Sequence, residues 1–174
     1  MSALVKLGRA GHRLAELNAG RLPAPTDDPG VAEFMAALDR VNGLGKRMPG
    51  FVRMMAGSGA PDQNKPGVGN TGARIGGDPQ HVSILTVWTD VKSLAAFVWN
   101  TVHREFYERR EDWFQLPGQQ HFVMWSVPEG HRPAQDEALA RLEHLRGHGP
   151  SDAAFDWAWL KEARLWQQRQ CAAE

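Results

Sequence analysis

A histidine and an arginine stand seven positions apart in VWNTVHREFYERREDWFQ, residues 98–115 of the chain. At about 100° per residue, His103 and Arg110 fall on the apolar side of a helix, within an arc of about 120°. That arc otherwise consists of large apolar side chains, namely Trp99, Val102, Phe106, Trp113 and Phe114. The opposite side is polar, so the helix is predicted to turn its imidazole and its guanidinium inward.

Burial of these two side chains has a structural and a functional interpretation. In the structural one, His103 bonds a backbone carbonyl and Arg110 pairs with an acid such as Glu16. A carboxylate or an anionic ligand must face a buried guanidinium, because an unpaired one costs several kcal/mol. In the functional one, a cavity separates helix from sheet, and burial lowers the pKa of His103 and keeps it a neutral base. The residues alone leave both interpretations open.

Two strands add candidate polar groups. His121 shares a predicted strand face with Trp125, and an isolated strand histidine is more often a structural hydrogen-bonder than a catalyst. Asn18 lies within another predicted strand. Because asparagine is a poor strand former, it must find partners if it is buried. Asn18 is therefore either a structural amide or a site residue.

Two other motifs lack the context that their chemistry needs. GVGNTG at 67–72 matches the dinucleotide-binding pattern G-x-G-x-x-G, but the following ARIGGDPQ is no helix to receive a pyrophosphate. His144 and His148 have the i, i+4 spacing of metal ligands, yet Gly147 interrupts that helix and no third ligand is evident. Neither a dinucleotide nor a metal site is predicted.

The composition indicates one globular domain. The chain has 174 residues, and we expect a core over 13–150 with a helical extension over 151–174. Twenty basic residues balance twenty acidic ones, so neither nucleic acid nor an anionic membrane is expected as a partner. The single Cys171 fits a reducing compartment, and no segment resembles a signal peptide or a membrane span. A cytoplasmic protein is predicted.

Alternation and helical spacing predict the elements that must position these residues. Strands are expected at 13–22, 51–57, 81–88 and 121–127. Helices are expected from Pro29, capped by Asp28, to about Arg47; through the opening segment, with a kink near Asn100; and from Pro133 to Gly147. This order predicts an α+β, ferredoxin-like βαββαβ fold with an antiparallel sheet.

Three expectations follow from that architecture. Helices on one face leave the other sheet face exposed, which predicts a homodimer formed through the sheets. A tail helix is expected to bury Phe155, Trp159, Ala163 and Trp166. The loop 57–80 holds seven glycines and three prolines, and we expect it to be mobile and to lie near the mouth of the pocket.

Short motifs along residues 13–155 form a specific combination. They are Leu14, Ala15, Leu17, Asn18 and Arg21; Phe34, Leu38, Asn42 and PGF at 49–51; VW at 87–88, FVW at 97–99, His103, RR at 109–110 and WF at 113–114; VPEGHRP at 127–133 and RLEHLRGHGP at 141–150. With this combination the chain resembles the family called domain of unknown function 3291. That family falls in the superfamily of dimeric α+β barrels that includes antibiotic-biosynthesis monooxygenases.

The resemblance implies a pocket between sheet and helices. Relatives in the superfamily include cofactor-free oxygenases, polyketide cyclases, isomerases and haem proteins. Several of them carry an Asn on the first strand and a Trp and a His near the second helix, and Asn18, Trp99 and His103 are similar in placement. Because one fold hosts many reactions, the resemblance does not fix the chemistry.

Three functions remain in competition. The first is a small-molecule enzyme without a tightly bound organic cofactor, acting on an aromatic or polyketide-like compound as a monooxygenase, cyclase or isomerase. His103 would be the acid/base, and Asn18 and Arg110 would stabilise an enolate or phenolate. The expected pocket lining is Trp88, Trp99, Phe106, Tyr107, Trp113, His121 and Trp125.

The second function is haem binding with His103 as the iron ligand. The third is a non-catalytic dimeric binding module, which predicts no cavity and an Arg110 closed off by Glu16 or another acid.

Overall fold

The computed structural model describes residues 10–55, 78–115, 118 and 120–163. Four strands, β1 (His12–Arg21), β2 (Phe51–Met55), β3 (His81–Trp88) and β4 (Phe122–Pro128), form one sheet in the order β2-β3-β1-β4. All neighbouring strands are antiparallel. This is the predicted ferredoxin-like order. The GVGNTG motif, nearly all of the loop 57–80, Trp166 and Cys171 lie outside the described residues.

The first helical layer begins at a local capping signal. Asp28 accepts a hydrogen bond from the Gly30 amide at 2.7 Å and precedes a 3-10 turn over Pro29–Val31. Helix α1 (Ala32–Gly45) follows directly. The predicted cap is confirmed, because an aspartate side chain before a proline can satisfy the free amides of a first turn.

The opening segment forms three short helices: α2 (Val91–Asn100), α3 (His103–Glu108) and α4 (Arg110–Trp113). The predicted break near Asn100 is confirmed. Thr101 is extended, and its hydroxyl donates to the Phe97 carbonyl at 2.6 Å and accepts from the His103 amide at 3.1 Å. Because the helix is interrupted here, Val102 leaves the inward arc and is 48% exposed. Its predicted inward position is wrong.

The opposite sheet face is also covered. Helix α5 (Gln135–His148) packs Ala138, Leu142 and Leu145 against a buried cluster on this face that includes Leu17 and Leu85. The prediction that this face is exposed is therefore wrong in the described structure, because the apolar stripe of α5 occupies it. The homodimer stays a prediction, but the sheet face that was expected to form its interface is covered by α5.

The C-terminal segment crosses the outer edge of the sheet. Phe155 pairs with Met124 of β4 through two backbone hydrogen bonds, of 2.7 and 2.9 Å. Helix α6 (Trp157–Ala163) then packs Leu160, which is fully buried like Phe155, into the core on the first face. The predicted buried stripe is correct for Phe155, which lies before the helix. It did not include Leu160, which is buried, and Trp159 is only partly buried. The side chain of Ala163 is outside the described part.

In the described part of the chain, no helix has both the length and the apolar character needed to cross a bilayer.

Candidate functional site

A cavity of about 110 Å³ lies between the first sheet face and the helical layer. Alternate residues of β1, namely Glu16, Asn18 and Gly20, form part of its lining because successive side chains of a strand point to opposite faces. Thr86 of β3 lies directly opposite Glu16 in the sheet register. The predicted space between helix and sheet is therefore present.

Most of the predicted site residues meet in this cavity. Those that line it are Asn18, Trp88, His103, Phe106, Tyr107, Arg110, Trp113 and His121. Two predicted lining residues do not. Trp99 packs its ring on Tyr107 at 5.1 Å and on Trp157 at 5.8 Å, outside the lining. Trp125 lies on the opposite sheet face, where its indole N–H donates to Glu137 at 3.0 Å. Strand alternation along β4 places it there.

His103 is half-buried against aromatic carbon. Its ring centroid lies 4.8 Å from that of Phe97. Burial lowers the pKa of His103 to about 4, and the backbone carbonyl of Val98 opposes that lowering. The structural interpretation is thus true in part. However, the Nδ1 atom of His103 is buried and has no hydrogen-bond partner. The imidazole is neutral near pH 7 and keeps one unsatisfied nitrogen.

Arg110 does not pair with Glu16. Its guanidinium donates to the Tyr107 carbonyl at 2.9 Å and lies 4.6 Å above the centre of the Tyr107 ring. Among the described residues, no carboxylate lies within 4.0 Å of Arg110. The Arg110 charge is stabilised instead by the aromatic face of Tyr107 and by the solvent that its half-buried side chain still contacts.

Further polar atoms of the lining have no partner. The Asn42 Nδ2 and the Trp113 Nε1 are buried without a hydrogen bond. Three of the five buried side-chain atoms without a partner among the described residues, those of Asn42, His103 and Trp113, line this cavity, so hydrogen-bonding capacity for a ligand or water is concentrated there.

Glu16 is the functional candidate that sequence reasoning missed. It is 6% exposed, and burial raises its pKa to about 7, against the opposing hydrogen bond from Thr86. The Thr86 hydroxyl donates to Oε1 of Glu16 at 2.6 Å and accepts from the Trp88 indole N–H at 2.7 Å. Strand alternation is the signal that could have found it, because Glu16 shares the inward face of β1 with Leu14 and Asn18.

The cavity does not fit a large prosthetic group. Pockets that enclose drug-sized ligands measure roughly 300–1,000 Å³, and a porphyrin belongs to that size class. A cavity of about 110 Å³ would have to open before haem could reach His103. In the described part of the chain, no group of three His, Cys, Asp or Glu side chains is placed to hold a metal ion.

Several solved structures share features of this fold at low identity. SnoaB, a cofactor-independent oxygenase from Streptomyces nogalater, is 13% identical with a TM-score of 0.44, and the match covers 72% of this chain and 100% of that one. A protein of unknown function from Nitrosomonas europaea is 11% identical with a TM-score of 0.42, over 71% and 95% of the two chains. A Pseudomonas aeruginosa protein is 16% identical with a TM-score of 0.42, over 73% and 100%.

No protein of curated function matches the sequence significantly. The family described as Domain of unknown function (DUF3291) matches residues 13–171, which includes every element of the sheet and both helical layers. Since that match spans nearly the whole chain, the protein belongs to the DUF3291 family.

Proposed function

We propose that this protein is a small-molecule enzyme that acts by acid/base chemistry on an aromatic or polyketide-like compound, without a tightly bound organic cofactor. One observation carries the proposal. Two titratable side chains, Glu16 and His103, line the same aromatic cavity, and burial moves their pKa values in opposite directions. Pairs of titratable groups whose pKa values are shifted in opposite directions are typical of sites in which one group acts as the acid and the other as the base.

The roles follow from charge and hydrogen bonding. Near pH 7 the Glu16 carboxyl is present in both protonation states, so it can take or give a proton. His103 is neutral and offers Nδ1 as a base or a hydrogen-bonding group. Asn18 and Arg110 supply an amide and a positive charge that would stabilise a developing enolate or phenolate. The aromatic lining is supplied by Trp88, Phe106, Tyr107 and Trp113.

The alternatives are less well supported. A non-catalytic binding module predicts no cavity and an Arg110 sealed by an acid, and neither feature occurs among the described residues. Haem binding is opposed by the small volume of the cavity. We therefore expect purified protein to show no Soret absorbance, and a stoichiometric Soret band would favour haem binding instead.

Turnover by His103→Ala is the direct test. We would screen phenols, naphthols and 1,3-diketones for conversion by the wild-type protein, following ultraviolet absorbance and product mass. His103→Ala should lose at least about a hundredfold in rate if His103 exchanges a proton with substrate. Its thermal melt should stay close to that of the wild type, because the variant leaves no unpaired charge. His144→Ala, at a half-buried position outside the cavity, is the control, and wild-type turnover by His103→Ala would contradict the proposal.

A further inference from the structure

We infer that the ligand is a single-ring compound carrying an acidic hydroxyl or enol O–H, and that this group meets the Oε2 atom of Glu16 and exchanges one proton with it. The inference rests on the proposed function and narrows its substrate class. Three features support it: the hydrogen bonds around Glu16, the unsatisfied donors of the cavity and the volume of the cavity.

The hydrogen-bond chain at Glu16 fixes which oxygen is reactive. An indole N–H can only donate, so the Thr86 hydroxyl must accept from Trp88 and direct its own proton to Glu16 Oε1. Oε1 is therefore an acceptor in both protonation states. When Glu16 is neutral, the bond from Thr86 favours its proton on Oε2, because the carbonyl oxygen of a carboxyl group is the better acceptor. Since Glu16 lines the cavity, Oε2 is the oxygen available to a ligand.

Two other groups specify what else the ligand carries. The buried Nδ2 of Asn42 and Nε1 of Trp113 can only donate, and both lack a partner. A ligand that satisfies them must present acceptor oxygens, as a carbonyl, nitro or phenolate group does. A ligand complementary to the cavity therefore carries one O–H group that meets Glu16 and acceptor oxygens at other positions.

The volume limits the number of rings. A cavity of roughly 150 Å³ takes up one benzene ring, and this one measures about 110 Å³. The indole of Trp88 is stacked on Phe97 at a centroid distance of 5.4 Å, and both line the cavity. Because this volume is below the one that takes up a benzene ring, one flat ring is the upper limit, and a fused polycyclic compound does not fit.

The proton exchange conserves charge within the complex. Ionised Glu16 takes the proton from the ligand O–H, which leaves a neutral carboxyl and a phenolate or enolate; the reverse step restores both partners. One negative charge is present throughout, and the step needs no oxidant. The other titratable or charged groups that line the cavity are His103, Tyr107, Arg110 and His121, and Arg110 supplies positive charge for the anion.

4-Nitrophenol is a suitable probe, because it has one ring, an acidic O–H, acceptor nitro oxygens and a visible spectrum that separates phenol from phenolate. We would measure its affinity for the full chain by calorimetry and absorbance between about pH 5 and pH 9. If the complex holds one shared proton, affinity should be greatest near pH 7 and fall about tenfold or more by pH 9 and by pH 5. Glu16→Gln cannot exchange that proton and should lose the bell shape.

Two further variants make the result specific. Glu111→Gln replaces an exposed carboxylate of α4 and should keep the wild-type profile. Thr86→Val removes the donor that lowers the pKa of Glu16, so the alkaline limb of the profile should move to higher pH. This variant also serves if Glu16→Gln fails to fold. Identical profiles for the wild type, Glu16→Gln and Thr86→Val would overturn the inference.

A two-ring analogue, 4-nitro-1-naphthol, tests the size limit. It should bind at least about tenfold more weakly than 4-nitrophenol, because the cavity holds one ring. Tighter binding of the naphthol would overturn the single-ring assignment. If neither probe binds while another compound is turned over in a His103-dependent reaction, the inference fails and the proposed function stands.

Discussion

Buried Glu16 and half-buried His103 line one cavity, and their ionisations affect stability with opposite sign. Glu16 has a pKa of about 7 in the folded chain against 4.5 for an ordinary glutamate, so unfolding releases a proton and stability falls as pH rises from about 4.5 to 7. His103 has a pKa of about 4 against 6.5, so unfolding takes up a proton and stability falls as pH drops from about 6.5 to 4. Between about 4.5 and 6.5 the two effects cancel.

In each single variant only one of the two groups titrates. The free energy of unfolding should therefore depend on pH in a range where that of the wild type does not. Glu16→Gln should lose stability as pH falls from about 6.5 to 4, and His103→Gln should lose stability as pH rises from about 4.5 to 7. At pH 8 Glu16→Gln should exceed the wild type by about 3 kcal/mol, because a buried carboxylate has been removed. Urea unfolding followed by tryptophan fluorescence measures these differences, with the double variant as reference. Slopes of the same sign in both single variants would contradict the assignment.

Arg110→Ala is expected to cost little stability. The guanidinium is half-buried, bonds one backbone carbonyl and stacks on Tyr107, and no carboxylate of the described residues depends on it. The loss should be about 1 kcal/mol or less. A loss of 3 kcal/mol or more in thermal or urea unfolding would point to a buried ion pair and would contradict the geometry.

At the scale of elements, Gly20 of β1 allows the end of α4 to close over the sheet. A Cβ atom at this position would overlap the Phe114 ring, which follows α4 directly. Gly20→Ala should therefore displace Phe114, destabilise the fold by about 1–3 kcal/mol and weaken binding of 4-nitrophenol. Gly147→Ala in α5 meets no atom within 4 Å and is the matched control. It should be neutral or stabilising by about 1 kcal/mol, and equal losses in both variants would refute this account.

Helix α5 covers the second sheet face, where the sequence predicted the interface with a partner subunit. Leu142 is almost fully buried against the strands of this face. Leu142→Ala should cost about 2–5 kcal/mol, whereas Leu139→Ala, at a partly buried position three residues earlier, should cost clearly less. Chemical unfolding of both variants gives the comparison, and a reversed order would show that α5 packs through another stripe.

At the scale of the whole molecule, the chain wraps its own sheet. Helices lie on both faces, and Phe155 pairs with Met124 at the outer edge of β4. A dimer through the second sheet face would require α5 to leave it, so we expect any dimer of the wild type to form through another surface. Light scattering at micromolar concentration measures the mass, and chemical cross-linking locates the contact surface. A dimer whose cross-links fall on the second sheet face would contradict this expectation.

Local sequence signals determined the elements. The alternation over 81–88 predicted β3 with the bounds that the structure has, Asp28 predicted its cap, and the loss of helical phase near Asn100 predicted the break. Each of these depends on residues that are neighbours in the chain, so periodicity and capping chemistry suffice. The order of the elements then predicted the sheet topology, because few connections are compatible with it.

Tertiary packing decided the rest. The displaced pKa of Glu16 depends on burial by helices far along the chain and on Thr86, seventy residues away in sequence. Whether Arg110 met Glu16 or Tyr107 depended on the path of the chain after the break at Thr101, and the sheet face that α5 covers depended on which apolar surface its stripe could reach. Desolvation and long-range pairing are set by atoms brought together from distant parts of the chain, and a one-dimensional pattern does not contain those distances.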